Sequence, residues 1–379
     1  MSVVFVIFVL TGAALTTLPL HLQNKLGQDV FTIGVIAGLQ FLSALISRVW
    51  AGAHADRKGP KSAIITGLCL ASVAGVFYLL SLAFLNVPIV STLVLALGRV
   101  VMGSAECFVL VGGVSWSLKL AGTARAGKAI AQMGNAMYVG LALGAPLGSL
   151  MFEKFGFQVV GLLTLLLPIL TLFVILPLPS IAAEVQKGGS LKMVLKSVWL
   201  PGVGLSFASL GYGAMISFCV LLFLERGWQP AWLAFTIFAL SFIAIRMVFG
   251  HLADRFGGAK IAQLFAVVQV TGLALIAVSP WVLLGYVGAA LTGAGYSLVY
   301  PALALEAVNR APAASRGLAI GTYTAFLEFT LAIASPILGL MASGMGLSAV
   351  FLASALAAIG TVWVGGRLRS VPVPVENMK

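Results

Sequence analysis

The chain has 379 residues, 61% of them apolar and only 8% charged, where a soluble domain carries roughly 25% charged residues. That excludes a water-soluble core and makes lipid the solvent; the 43 glycines suit helices that pack closely in a bilayer. The net charge of +12 does not describe a nucleic-acid surface, because the basic residues fall between apolar runs, where they set membrane orientation.

A hydrocarbon core needs about 20 apolar residues per helix. Twelve spans are predicted, at 3–22, 31–53, 63–85, 89–112, 127–151, 158–177, 199–224, 231–252, 261–279, 281–305, 317–341 and 347–366. The first lacks the basic leader and small-residue cleavage site of a signal peptide, so it is kept as a helix. The second places Arg48, Gly52 and Asp56 on one face at i, i+4 spacing and runs into a charged turn, Asp56-Arg57-x-Gly59-x-Lys61. The fourth carries Arg99 near its middle and Glu106 on the same face, nearer its end. A mid-bilayer arginine costs at least about 2.5–3.5 kcal/mol, so it needs a partner or a wet cavity. The fifth brings Gly140, Gly144, Pro146 and Gly148 together as a thin, bendable face; it reads as a hinge, a tight seam against the other half, or plain close packing.

Residues 178–197 are the one polar stretch long enough to link two halves, with Pro179, Glu184, Lys187, Gly188, Gly189, Lys192 and Lys196. The eighth span then repeats the opening pattern: Arg246, Gly250, Asp254, Arg255, Gly257 and Lys260. The tenth ends at Glu306, read as a solvated terminus, and the eleventh holds Glu328 near its middle. Either buried carboxyl, Glu106 or Glu328, could be poised to bind and release protons, or could be a permanently paired structural charge. Gln40, Gln132, Asn135, Tyr138, Tyr212, Tyr296, Tyr300 and Tyr323 are the other polar groups at membrane depth. They are candidates for lining a substrate cavity, or equally for hydrogen bonds between helices. Cys69, Cys107 and Cys219 stand singly in apolar runs and read as buried small side chains. His54 and His251 read as structural, and Trp116, Trp199, Trp228 and Trp281 as interface anchors.

Counting Lys and Arg on alternate connections gives sixteen against three, the three being Lys25, Lys154 and Arg226. Both termini and the linker are therefore expected in the cytoplasm. The charged cassette recurs after 198 residues, and Ala145-Pro146-x-Gly148 recurs as Ser335-Pro336-x-x-Gly339 after 190. Gly127-x-Ala129-Ile130 likewise recurs as Gly317-x-Ala319-Ile320, and the same offset matches Tyr138 to Glu328. The expected fold is all-α and integral to the membrane: twelve transmembrane helices in two pseudo-symmetric six-helix bundles, 1–177 and 198–379, joined by the cytoplasmic linker 178–197.

These residues resemble the major facilitator superfamily over the whole chain. Its signature Gly-x-x-x-Asp-Arg-x-Gly-[Arg/Lys]-[Arg/Lys] reads here Gly52-Ala-His54-Ala-Asp56-Arg57-Lys58-Gly59-Pro60-Lys61, with Pro60 in place of one basic residue. Leu97-Gly98-Arg99-Val-Val-Met-Gly103 and Gly140-x3-Gly144-Ala-Pro146-Leu-Gly148 are similar to two motifs of the drug/proton antiporter branch, with Ala145 inserted between the usual Gly and Pro. The chain is thus similar to bacterial drug- and sugar-efflux permeases. The resemblance implies a latch: Asp56 facing the helix start around Gly317 and, by the repeat, Asp254 facing that around Gly127. A carboxylate at a helix N-terminus contributes about 0.3–2 kcal/mol.

No nucleotide-phosphate loop, zinc spacing or catalytic constellation is present, so no cofactor is implied and an ion gradient is the expected energy source. The expected function is a monomeric inner-membrane secondary transporter, not an enzyme, exporting small organic molecules in exchange for protons. Arg99, Glu106 and Glu328 would couple to protons. The alternative is a proton symporter importing a sugar or organic anion. A membrane enzyme or a transport-dead receptor fits less well, given two intact gating cassettes and no catalytic cluster.

Overall fold

The computed structural model describes residues 1–121, 126–180, 191–312 and 315–370. Arg125, Glu184, Lys187, Gly188, Gly189 and Lys379 lie outside the described residues, as do the side chains at 121–131, 191, 316 and 317. The described chain is helical and contains no strand. In lipid each backbone N–H and C=O must find its partner within the segment, and a helix does that.

The chain divides into two compact units, Met1–Gln186 and Lys187–Lys379. The first holds α1 (Ser2–Asn24), α2 (Val30–Lys58), α3 (Pro60–Leu82), α4 (Pro88–Ala121), α5 (Ala126–Phe155) and α6 (Gln158–Ile175). The second holds α7 (Leu191–Glu225), α8 (Trp232–Phe249), α9 (Leu252–Phe256), α10 (Gly258–Val278), α11 (Val282–Arg310), α12 (Arg316–Met345) and α13 (Leu347–Ser370). Among the described residues twelve helices are long and apolar enough to cross a membrane, six in each unit; the five-residue α9 is the exception. The protein is therefore a multi-pass membrane protein with two six-helix bundles.

Within the first bundle α1 packs on α5, and α4 packs on α2 and α3. The second repeats the scheme, with α7 on α12 and α11 on α8 and α10. Glycine sets how closely these pairs meet. A Cβ at Gly103 of α4 would collide with the Gln40 carbonyl of α2, and one at Gly293 of α11 with the Phe238 carbonyl of α8. The two contacts are related by the sequence repeat, so the duplication is written into the packing as well as the motifs.

The helices differ from expectation in four places. α4 runs on to Ala121 because Gly112 faces the Pro60 carbonyl of α3 and is held as a packing residue rather than a breaker. Trp116 is buried against the bundle, and Glu106 sits near the middle of α4, with Arg99 nearer its start. α7 begins at Leu191, inside the stretch expected as linker. Cys69 is exposed on α3, whereas Cys107 and Cys219 are buried.

Candidate functional site

Four helices of the first bundle bring polar groups to their middles. α2 and α4 are joined by a seam of small hydroxyls: Ser43 Oγ donates to the Val100 carbonyl and lies 2.7 Å from Ser104 Oγ, which is 2.8 Å from Ser47 Oγ. Gly103 allows this approach, and it brings Gln40 beside Glu106. Gln40 Nε2 donates to Glu106 Oε1 at 2.8 Å, and Thr11 Oγ1 of α1 donates to the same oxygen. Glu106 is 8% exposed and Gln40 1%. Hydrogen bonds to a charged group contribute about 1.5–3 kcal/mol each, so the Thr11 and Gln40 donors offset part of the cost of a buried carboxylate.

Arg99 lies two turns before Glu106 on α4 and is 1% exposed. Its Nη1 reaches the Tyr78 hydroxyl of α3 at 3.4 Å. Tyr78 leans on Phe157, with ring centres 5.9 Å apart, and Phe157 stacks on His21 of α1 at 4.3 Å. The arginine is thus sealed inside its own bundle, and a polar-aromatic column runs from the carboxyl centre towards the end of α1. Sequence reading found Arg99, Glu106 and Gln40. It missed Thr11, Tyr78 and His21, which look like ordinary members of apolar runs.

Glu328 is buried near the middle of α12, and Tyr138 is buried at the matching place on α5. The second bundle has a different centre. Tyr296 occupies the position matching Glu106 and is fully buried; it stacks on Tyr212 of α7 at 4.9 Å and lies 3.3 Å from Ser209 Oγ. Tyr323 of α12 donates to the Tyr300 carbonyl of α11 at 2.8 Å, and Tyr300 meets Thr324 Oγ1 at 3.2 Å. These four tyrosines bind helices to one another. Gln132 is exposed and Asn135 half-buried on α5.

The glycine face of α5 turns to α1 of the same bundle. A Cβ at Gly140 would stand 2.7 Å from the Phe5 carbonyl, one at Gly144 would collide with Val9, and one at Gly148 would meet Ala13 at 2.5 Å. The seam expected against the other half is, for these glycines, a seam with α1. Pro146 lies within α5, half-buried.

The two charged cassettes sit at matching helix ends. Asp56, Arg57, Asp254 and Arg255 are all exposed, while Arg48 and Arg246 are half-buried, the latter over the Phe242 ring at 5.9 Å. The first cassette is one unbroken helix across Gly52; the second breaks after Phe249, at Gly250 and His251. Gly59 and Gly257 end them with φ of 87° and 88°, a region that residues with a Cβ enter only at a cost. His54 reaches Ser62 Oγ at 2.9 Å and so braces this turn. Lys61 donates to the carbonyls of Leu176 and Leu178 at 2.7 and 2.6 Å, capping α6.

Two charged groups have roles unforeseen from sequence. Glu306 is buried, not solvated: it accepts from the Ala259 amide at the start of α10 at 2.9 Å and pairs with Arg310 at 3.3 Å. A carboxylate at a helix start is favoured by the dipole. Arg226 donates to the carbonyls of Ile276, Ala277 and Ser279 and to Ser348 Oγ, at 2.6–3.1 Å. It closes the far end of α10 against α13 and lies over Trp228 at 4.8 Å. Burial pulls its guanidinium below the usual range, opposed by Glu225. Its place among the three bases on the charge-poor set of connections was the available signal.

Comparison with known proteins follows the same lines. A model described as Major Facilitator Superfamily matches residues 1–313 and 227–378. An uncharacterized MFS-type transporter of Salmonella typhimurium, STM4428, is 36% identical over 358 residues, covering 94% of this chain and 92% of its own. The uncharacterized MFS-type transporter YhhS of Escherichia coli is 33% identical over 353 residues, covering 93% and 87%. Among solved structures, a D-xylose-proton symporter has a TM-score of 0.78 at 14% identity, over 98% of this chain and 97% of its own. The nucleoside transporter NupG has a TM-score of 0.72 at 14% identity, over 98% of each. At such identities the structural likeness speaks for the fold.

Proposed function

Since the chain belongs to the major facilitator superfamily, a family of transporters rather than enzymes, we propose that it exports small organic molecules across the inner membrane in exchange for protons, by alternating access of its two bundles. The observation that carries this reading is Glu106: a carboxyl buried at the middle of α4, with donors from α1 and α2 on one oxygen. Thr11 and Gln40 can donate to a carboxylate there, and both donors come from helices other than α4. The proton-binding balance therefore depends on how closely α1 and α2 approach α4. A movement that parts these helices removes the donors and promotes proton uptake; their return promotes release. Arg99 and Glu328, the other charged groups at membrane depth, would take part in the same coupling.

On this reading the units 1–177 and 198–379 rock about a cytoplasmic connection at 178–197, and Asp56 and Asp254 latch the cytoplasmic side when it is closed. Both termini face the cytoplasm. The test is proton flux on substrate addition in proteoliposomes. Glu106→Gln should fix the neutral state and abolish substrate-dependent flux while gradient-free exchange survives. Full flux in Glu106→Gln would sink the assignment. Direction separates export from the proton-symport alternative: vesicles of known orientation, given an inward proton gradient, should expel substrate.

A further inference from the structure

The α10–α13 face of the second bundle carries a feature that the transport mechanism does not use. An open groove of about 440 Å³ runs between the two helices, lined by Gln263, Ile359, Val362, Trp363, Gly366 and Arg367. Its wall is almost wholly apolar. Leu352, Leu356, Ile359 and Trp363 form one exposed stripe down α13, at 46–62% exposure, and Arg367 follows one turn after Trp363. Spacings of four, three and four place these residues on a single helix face. Apolar side chains this exposed face hydrocarbon in a membrane protein.

The groove has a charged mouth. Gly365 packs against Ala259 and Gln263 of α10, which brings Lys260 and Arg367 to the same end of the helix pair. Both are exposed, as is Arg369, whose Nη1 donates to Gln263 Oε1 at 3.0 Å. The Arg367 guanidinium lies over the Trp363 ring at 5.4 Å. Opposing acids at this end are Asp254 and Glu306, and Glu306 is held by the Ala259 amide and Arg310. An apolar channel ending in an amphipathic aromatic ring and a cationic rim has the polarity sequence of one anionic lipid molecule.

The first bundle is the internal control. There the matching helix pair is α3 and α6, and Lys61 is committed to the carbonyls of Leu176 and Leu178. α6 has 18 residues and α13 has 24, so only the second bundle extends a helix carrying two arginines past this level. Lys260, the counterpart of Lys61, lies over the Phe256 ring instead, at 5.8 Å.

We propose that the α10–α13 groove binds an anionic phospholipid, with an acyl chain along the Ile359–Trp363 wall and the phosphate against Arg367 and Lys260. The test uses the purified full chain in detergent, with its melting temperature followed as phosphatidylglycerol or phosphatidylcholine is titrated in. Phosphatidylglycerol should stabilise the wild type at lower concentration. The Lys260→Gln, Arg367→Gln double variant should weaken that response on the order of tenfold, leaving the response to phosphatidylcholine unchanged. A Lys25→Gln, Lys154→Gln variant removes equal charge from the first bundle and should respond like the wild type. Soluble glycerol phosphate should not reproduce the effect, because the groove contributes through the acyl chain. Trp363→Ala should weaken both lipids. Equal stabilisation by the two lipids, or equal loss in the two double variants, overturns the site; so does full reproduction by glycerol phosphate.

Discussion

The two bundles share a backbone plan and fill its centre with opposite chemistry. At the place where α4 carries Glu106, α11 carries Tyr296; where Gln40 reaches the carboxyl, Phe238 packs instead. Arg99 matches Ala289. In the first bundle the middle is a carboxyl with two donors and a sealed arginine. In the second it is a stack of tyrosines and phenylalanines, Tyr212 on Tyr296 at 4.9 Å with Phe242 at 6.2 Å. After duplication the packing glycines were retained in both, Gly103 and Gly293, because the helix approach depends on them. The groups between the helices differ. The lesson is a difference at matching positions: between α2 and α4 the first bundle holds a hydrogen-bonded carboxyl, between α8 and α11 the second holds an aromatic core, and the second bundle's buried carboxyl, Glu328, lies on α12 instead.

The sharpest way to break this comparison is to exchange the centres. Glu106→Gln should lower substrate-dependent proton flux by on the order of a hundredfold, the lower end of what a positioned proton carrier contributes. Tyr296→Phe should leave that flux within twofold, an order-of-magnitude expectation from losing one neutral hydrogen bond of about 1 kcal/mol. Comparable losses in both variants, measured in proteoliposomes, would show that the bundles do not divide the work.

Next come the shared glycines. Gly103→Ala and Gly293→Ala each force a Cβ into a backbone carbonyl of the neighbouring helix, and overpacking typically costs about 1–3 kcal/mol. Melting temperatures of the two variants should fall by similar amounts, since the contacts are related by the repeat. A large difference would mean that one bundle relaxes where the other cannot.

Arg226→Lys should follow, with a loss of about 1–2 kcal/mol. An ammonium replaces a planar fork that serves four acceptors. The readout is limited proteolysis at the ends of α10 and α13 together with the melting temperature.

The smallest effect concerns helix starts. α2 is capped by Asp29, whose Oδ1 accepts from the Thr32 amide at 2.9 Å, whereas Ala231, in the same position before α8, offers no side-chain cap. Asp29→Ala makes the first bundle resemble the second and should cost about 1 kcal/mol. The hydrogen bonds to Thr32 hold the Asp29 carboxyl below its ordinary value. Its contribution is therefore complete above the unfolded pKa and is lost as pH falls through the folded one. The wild type and the variant should differ at neutral pH and converge in acid.

The number of helices, the two-bundle plan and the duplicated turns were legible in the sequence, because apolar length and a repeated charged cassette are local signals. Glu106, Arg99 and Gln40 stood out because polar groups at membrane depth are rare. Thr11 and Tyr78 did not, since a threonine or a tyrosine in an apolar run is unremarkable until a partner on another helix is known. Glu306 was misread for the same reason: its role depends on the Ala259 amide, 47 residues away. The extra length of α4 was not legible, since the fit of Gly112 against the Pro60 carbonyl depends on another helix.

The turns at Gly59 and Gly257 have a mechanical consequence. Each is a single residue between two helices: α3 starts at Pro60 and α10 at Gly258. A joint one residue long stores no slack. Any turn of α2 relative to α3 must be taken up by one pair of torsion angles, at Gly59, while Lys61 ties the start of α3 to the end of α6. The second cassette inserts the broken step at Gly250 ahead of the same joint, which gives α8 a compliance that α2 lacks. Stiffness is then unequal at two sites built from one motif, and the second cassette is the softer spring of the pair.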